Sequence, residues 1–402
     1  MTMSSAQDLF QDHFKESPQV VAEAPGRLEL LGNHTDYNQG LVLSMSLDRH
    51  LNMAASPRSD EWVEVVSSAF PELERFSIHD LKKSPVNSWT DYVKGPLAEL
   101  RKLGIPFRGF NAAIHGTLPV GAGMSSSAAL EIVTVLAVRL LYPFALGASG
   151  WRAHHPDNPP DATSEISARE KLALARACQA AENHFVGVNC GILDQISSLF
   201  GRPSHAILTD CQTLEVELIP LVGEVSIVIC HSGVKHALVE GEYNELRRHC
   251  EAAALALGVA SLRSVSTEVL ESWRGRLPAR DFACARHIVD EIHRVRLGEK
   301  ALRAGDFAKF GRYMFESHAS SRDFFKNSAP ELDLLVEIAR EHRACLGARL
   351  TGGGFGGSTI SLVENPAVQD FIDFIAKAYE KRSGRPTEPL LCHFATSPAP
   401  AA

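Results

Sequence analysis

Helical and strand periodicities alternate along the chain. Between Ser127 and Leu141, the apolar residues Ala128, Ala129, Leu130, Ile132, Val133, Leu136, Ala137 and Leu140 form a wide face at helical spacing, which predicts a helix. Gln19–Ala22, Leu41–Met45 and Phe107–His115 read as strands, and the last runs directly into a Gly/Ser-rich loop. Gly26 to Gly40, dense in Gly, Asn, Asp and His, reads as a loop. Pro143 to Ser167 reads as a surface insertion. A helix is expected over Ala168–Phe185 and strand character over 206–232. The stretch 235–345 is mostly helical, clearest at Glu242–Leu257 and Asp290–Val295, with Gly258 as a helix stop. Arg349–Val363 reads as strand, glycine turn, then strand or helix, and Thr396–Ala402 as a frayed tail. Strands and helices without a regular βαβ rhythm predict an α+β fold. A length of 402 residues predicts two domains, 1–205 and 206–402, divided after Gly201-Arg202-Pro203-Ser204.

The composition, 45% hydrophobic and 22% charged, is that of a globular chain. A formal net charge of -8 leaves no basic footprint for nucleic acid. An anionic substrate then needs a local cluster of donors. No apolar run approaches the roughly 20 residues that span a bilayer. Met1–Pro18 lacks the basic-then-apolar pattern of a secretory signal. The eight cysteines are scattered without a C-x-x-C pair. Reduced thiols in a cytoplasmic protein are therefore expected, rather than a disulfide framework or a zinc site.

Candidate chemistry gathers in a few segments. In Gly121-Ala122-Gly123-Met124-Ser125-Ser126-Ser127 the glycines let backbone approach an anion, and the amides at the coming helix start point toward it. The serines add hydroxyl donors and a candidate magnesium ligand. No Gly-Lys-Ser/Thr follows, so this is not a Walker loop, and taken alone it also suits a turn that only caps a helix. Gly352-Gly353-Gly354-Phe355-Gly356-Gly357 holds five glycines in six positions. Such a cluster costs conformational entropy on folding, so it serves either amides aimed at a ligand or a tight strand connection. Gly26–Asn38 mixes donors and acceptors of every type, as a polyhydroxy ligand requires, although a polar surface turn reads the same way. Arg27 suits charge developing in phosphoryl transfer. Asp194 suits a helix N-cap as well as a reacting carboxylate, and Glu182 a solvated helix face as well as a metal ligand.

Together these segments resemble the GHMP superfamily, named for galactokinase, homoserine kinase, mevalonate kinase and phosphomevalonate kinase, and within it the galactokinase family. That family carries Gly-Arg-x-Asn-Leu-Ile-Gly-Glu-His-Thr-Asp-Tyr-Asn, then Pro-x-Gly-x-Gly-Leu-Ser-Ser-Ser-Ala, then Gly-Gly-Gly-Phe-Gly-Gly. The counterparts stand here in the same order, starting at Gly26, Pro119 and Gly352. Trp89–Gly95, Glu242-Tyr243-Asn244 with Arg247-Arg248, and Ser317-His318 with Arg322-Asp323 extend the likeness over most of the chain.

The resemblance implies a two-domain GHMP kinase fold. Its N-terminal domain would be ribosomal-protein-S5-domain-2-like and its C-terminal domain ferredoxin-like, with the active site in the cleft between. It implies ATP and magnesium (Mg2+), and phosphorylation of the anomeric hydroxyl of galactose or a related sugar. Asp194 would act as base or anionic orienter, and Arg27 would sit beside it and stabilise the transferring group. Asn33, His34, Asp36, Gly191 and Tyr243 would face the sugar. Gly121, Gly123, Ser125, Ser126, Ser127, Gly353 and Gly354 would hold the nucleotide, with Ser127 and Glu182 on magnesium. The partner would be a small sugar, not nucleic acid or membrane, and the protein a monomer or weak oligomer.

Departures from the family pattern are Glu29 for its Asn, Asn33 for its Glu, Met124 for its Leu and Ser358 for its Cys. The change at Asn33 is expected to alter sugar selection more than chemistry. Altered substrate loops also leave open a catalytically silent sugar and ATP sensor. A kinase acting on mevalonate fits the polar loop less well.

Overall fold

The computed structural model describes residues 5–86, 88–118, 123–147, 150–153, 166–235 and 239–393. Its strands are β1 (Val20–Leu31), β2 (Leu41–Pro57), β3 (Trp62–Ser67), β4 (Phe70–Ser77), β5 (Phe110–Gly116), β6 (Phe144–Gly147), β7 (Gly150–Ala153), β8 (His205–Asp210), β9 (Val216–Pro220), β10 (Val225–Lys235), β11 (Cys345–Thr351), β12 (Gly356–Glu364) and β13 (Leu390–His393). Its α-helices are α1 (Ala6–Phe14), α2 (Asp91–Lys102), α3 (Ser126–Leu141), α4 (Ala168–Ala180), α5 (Leu193–Phe200), α6 (Val239–Ala256), α7 (Thr267–Ser272), α8 (Ala279–Arg303), α9 (Phe307–Ser320), α10 (Pro330–Glu341) and α11 (Val368–Ser383). The chain forms two compact units. One comprises Met1–Gly26, Arg49–Val120 and Ser125–Phe200; the other comprises Arg27–Asp48, Gly121–Met124 and Gly201–Ala402.

In the first unit, the C-terminal half of β2 runs antiparallel to β5, with Ala54 opposite Ala113. β5 lies parallel to β3, and β3 pairs antiparallel with β4. Helix α1 starts where the Ser5 hydroxyl accepts the Asp8 amide, and it buries Phe10 against Ala54, Val66 and Ala113. Helix α3 is buried on nearly every side, from Ala128 and Ile132 to Val135 and Val138. Such a helix forms the centre of a helical layer rather than its surface. A buried ion pair, Arg139 Nε to Glu170 Oε1 at 2.8 Å, ties it to α4.

The helix expected over Ala168–Phe185 is not uniform. After Ala180 it widens into a π-helical turn, Ala181–Val186, which Gly187 closes at φ 93°. Such turns insert one extra residue into a helix and re-aim the chain beyond them. The expected surface insertion at 143–167 is also more ordered than its Pro/Gly content suggests. β6 and β7 form an antiparallel hairpin whose Phe144, Ala145 and Leu146 are buried. Residues 154–165 of that insertion lie outside the described residues, as does the tail 396–402.

The second unit is built on the sheet β11-β12-β10-β13, all antiparallel. Helices α10 and α11 cover it through Leu335, Ile338, Phe371, Ile375 and Tyr379, packed on Val228, Cys230 and Val363. Burying Phe371 and Ile375 fully contributes roughly 1.5–3 kcal/mol each. Helix α9 meets β11 backbone to backbone. A Cβ on Gly311 would overlap the Leu346 carbonyl, and one on Gly347 would overlap Gly311. Helices α6, α7 and α8 enclose another apolar cluster, with Leu246, Cys250, Ile288, Ile292 and Phe325 at its centre. The N-terminal half of β2 pairs with β8, and β8 with β9.

The reading of Gly26–Gly40 as a loop is corrected at its start, because β1 continues to Leu31. Strands covered on both faces show no alternation. The last six residues of β1, Arg27 among them, are all buried, which hid the strand behind Arg27 and Glu29. Helix α6 and its stop at Gly258, which has φ 70°, match expectation. So does the strand, turn and strand at 345–364.

Candidate active site

Two groups of expected site residues assemble, one in each unit. In the first unit, Ser125 stands in the left-handed backbone region (φ 55°) and opens α3. Its hydroxyl donates to Oδ2 of Asp194, the second residue of α5, which is half-buried. A helix N-terminus favours an anionic side chain there. Gly191, just before α5, is buried. Ser126 and Ser127 lie in the first turn of α3, half-buried, where free amides point away from the helix. Of the expected phosphate loop, Gly121 and Ala122 lie outside the described residues.

Glu182 sits in the π-helical turn and is buried. Gln195 Nε2 donates to its Oε2 at 2.9 Å and to Glu131 Oε2 at 3.1 Å. The Cys190 thiol donates to the same Glu182 oxygen at 3.3 Å. Burial and then the neighbouring carboxylates push the Cys190 thiol well up, so it stays a donor. Burial, reinforced by the Glu182 charge, pushes Glu131 well up as well. Among the described residues no group of three or more His, Cys, Asp or Glu is placed to hold a metal. A buried carboxylate such as Glu182 suits magnesium all the same, since that ion needs few protein ligands, keeps waters and takes further oxygens from phosphates. Sequence reasoning misses Glu131 and Gln195; nothing distinguishes them from ordinary helix residues until α3 and α5 are folded together.

In the second unit, Arg27 is buried on β1, and its Nη1 donates to the Gly123 carbonyl at 2.8 Å. Its backbone amide donates to Met124 O at 3.1 Å. The sugar loop comes next. His34 has φ 60°, and its ring donates through Nε2 to Gly353 O at 3.0 Å. Burial pulls its pKa down to about 4, so the ring is neutral. Nδ1 must then accept, and it takes the Tyr37 hydroxyl proton at 2.9 Å. Tyr243 and Phe325 pack on the same ring, each with centroids 4.8 Å away. Asp36 begins a short 3-10 turn and is half-buried. His34, Tyr243 and Gly353 thus come together.

Asn33, expected to face a sugar hydroxyl, is fully buried, and protein partners occupy its side chain. Its Nδ2 donates to Glu29 Oε1 at 3.1 Å and to Gly352 O at 2.8 Å, while its Oδ1 accepts from Asn327 Nδ2 at 2.8 Å. Arg349, also fully buried, pairs with Glu29 Oε1 at 2.9 Å. Burial pushes the Glu29 carboxyl up, against the pull of Arg349 and Arg27. Gly354 has φ 87°, and a Cβ there would overlap the Asn327 carbonyl. Sequence reasoning misses Asn327 and Arg349 too, because both act through partners some three hundred positions away.

Family models match three stretches of the chain. Residues 8–57 match the galactokinase galactose-binding signature, 91–153 the GHMP kinases N terminal domain and 299–381 the GHMP kinases C terminal. The chain is 40% identical to a galactokinase of Roseiflexus sp. (strain RS-1), covering 95% of this chain and 93% of the relative. It is 39% identical to the Homo sapiens galactokinase, covering 94% and 92%. The chain belongs to the galactokinase family. It is an ATP-dependent sugar kinase, a phosphotransferase with an alcohol acceptor. Among solved structures, Lactococcus lactis galactokinase complexed with galactose matches with a TM-score of 0.86 at 32% identity, over 98% of both chains. A mevalonate kinase matches with a TM-score of 0.60 at 17% identity, over 93% of this chain and 98% of that one, and shares the fold. The expected two-domain GHMP kinase architecture therefore holds.

Proposed function

We propose that the chain transfers the γ-phosphoryl group of ATP to the anomeric hydroxyl of galactose, giving galactose 1-phosphate and ADP. The observation that carries this reading is the sugar loop of the galactose-binding signature. It folds with the His34 ring held between the Gly353 carbonyl, the Tyr37 hydroxyl and the Tyr243 ring. The likeness to a galactokinase complexed with galactose supports the sugar. A bond forms from the sugar O1 to the γ-phosphorus. The bond to the β–γ bridging oxygen breaks, and its electron pair leaves on ADP. The hydroxyl proton passes to the Asp194 carboxylate, which the Ser125 hydroxyl orients. Arg27 neutralises charge on the transferring group, and the amides opening α3 take the other phosphate oxygens.

Asp36, Gly191 and Tyr243 bind the sugar in this reading, and His34, whose two ring nitrogens are engaged by Tyr37 and Gly353, shapes the sugar site they form. Asn33 acts through the frame of the loop, since its own polar atoms are engaged. Gly123 and the glycines at 353 and 354 lie along the nucleotide, and Gly121 belongs to the same loop. Ser127 and Glu182 would hold magnesium, which neutralises phosphate charge when bound.

The acceptor is a small sugar, and neither nucleic acid nor membrane is proposed as a partner. No described helix is long and apolar enough to cross a membrane. All eight cysteines are free, which supports a cytoplasmic location, and the protein is proposed as a monomer or weak oligomer. The alternative of a silent sensor gains no support from relatives that are galactokinases. A coupled ADP-release assay across a sugar panel, with the product's phosphate position read by phosphorus NMR, tests the proposal. Silence with every sugar, from folded protein with ATP and magnesium, would sink it.

A further inference from the structure

The sugar loop is also fastened to α8, a helix that carries none of the residues so far assigned. Glu291 and His287 lie one turn apart on α8, four residues in sequence, so their side chains share a face. Both are fully buried. Oε1 of Glu291 accepts the backbone amides of Gly32 at 3.0 Å and Asn33 at 3.3 Å, and the Ser317 hydroxyl at 2.7 Å. Its other oxygen accepts from Arg294 Nε at 2.7 Å. Nε2 of His287 donates to the carbonyl of the same Asn33 at 3.2 Å. One helical turn therefore holds both backbone polar groups of a single loop residue.

The protonation states suit this grip. Burial would raise the Glu291 carboxyl, but the Arg294 and Arg349 charges outweigh it and hold it well below the usual carboxylate range. It remains an anion, able to accept four hydrogen bonds. Burial pulls the His287 pKa down to about 3, so its ring is neutral. Nε2 must then carry the proton to bond a carbonyl. Nδ1 is left to accept, and the Ser320 hydroxyl supplies that bond at 2.9 Å. Stacking on Phe325, with centroids 4.4 Å apart, fixes the ring plane.

We propose that His287 and Glu291 are positioning residues for sugar binding: together they fix the Asn33 backbone, and through it the conformation of His34 and Asp36. Neither side chain touches the sugar. The adjoining residue His34 holds φ 60°, a conformation that a non-glycine residue keeps only when its surroundings over-determine it. Fixing the preceding residue, Asn33, through both its amide and its carbonyl supplies that constraint. The inference rests on the reading of 32–38 as the sugar loop.

The test is steady-state kinetics with galactose and ATP varied separately, on the full chain and the variants Glu291→Gln, His287→Leu and His287→Gln. Gln places an amide near the position of Nε2 and can still donate to the Asn33 carbonyl, whereas Leu cannot. We expect Glu291→Gln and His287→Leu to raise the galactose KM about ten-fold or more with the ATP KM changed less than about two-fold. His287→Gln should recover most of the loss. A galactose KM that stays put, sugar and ATP constants that rise together, or a Gln variant no better than Leu would each overturn the inference. Should Glu291→Gln fail to fold, the two His287 variants decide alone. Absence of galactose turnover in the unaltered protein would instead overturn the functional reading and this inference with it.

Discussion

The Asn33 side-chain amide donates to Glu29 Oε1 at 3.1 Å, so two departures from the family pattern touch each other. The pattern places Asn at the position of Glu29 and Glu at that of Asn33. Here the amide and the carboxylate stand exchanged, and Arg349 holds the carboxylate in its new place. Restoring Glu at position 33 alone would set two buried carboxylates against each other, with Gly352 O losing its donor. An uncompensated buried charge costs about 3 kcal/mol or more. Asn33→Glu is therefore expected to lose about that much stability in urea denaturation, and Glu29→Asn/Asn33→Glu to regain most of it. A double variant no more stable than the sum of the two single changes would show that the positions are independent.

Asp194→Asn and Arg27→Ala should each reduce kcat by roughly a hundred-fold or more, with the fold intact by circular dichroism. Ser125→Gly removes the hydroxyl that orients Asp194 while keeping the left-handed backbone at φ 55° free of added strain. It should cost about ten-fold in kcat. Near-normal rates in all three variants would move the reaction centre elsewhere.

Within the glycine turn, neighbouring positions should respond differently. Gly354→Ala meets the Asn327 carbonyl at φ 87° and should destabilise by about 2–4 kcal/mol. A Cβ on Gly353 would lie 3.5 Å from Tyr243, an ordinary contact. Gly353→Ala should stay within about 1 kcal/mol of the unaltered protein. Equal thermal midpoints for the two variants would contradict this.

His287 makes stability pH-dependent in a definite direction. Its ring is neutral in the fold with a pKa of about 3, against an ordinary value of 6.5. Its contribution is present above that ordinary value, and it is lost progressively as pH falls toward the folded value, because the unfolded chain takes up the proton first. His287→Gln lacks this dependence. Between about pH 6 and pH 4, the stability difference between unaltered protein and variant should fall by about 1.4 kcal/mol per pH unit. Parallel denaturation curves across that range would show that His287 is protonated in the fold.

Glu182→Gln should weaken magnesium-dependent nucleotide binding. The magnesium-dependent part of an ADP-induced thermal shift should fall at least by half, and the shift with ADP alone should not change. Equal loss of both shifts would place Glu182 in the nucleotide pocket rather than on the metal.

Local sequence exposes those parts of the site that depend on local chemistry. Ser125–Ser127 announce a helix start because serines precede a wide apolar face, and the glycine turn announces itself by composition. His287 and Glu291 are invisible there for the opposite reason. They sit in a long helix whose pattern explains them as ordinary polar residues, and the loop residues they hold lie more than 250 positions away. Arg27 and Glu29 look like loop residues because a strand covered on both faces shows no alternation. The widened turn at Ala181–Val186 leaves no trace, since one extra residue per turn does not disturb an apolar pattern that short.

A second widened turn, Ser321–Phe325, closes α9 just before Asn327, as the first closes α4 before Gly191 and Asp194. Regular α-helix would be the more comfortable state for both segments. A design that replaced either turn with ideal helix, by deleting one residue and choosing better helix formers, would gain local helix propensity. It would also rotate everything downstream by about a quarter turn or more. In an engineering campaign guided by helix propensity alone, these two short stretches are where the best-favoured sequences should also be the least active.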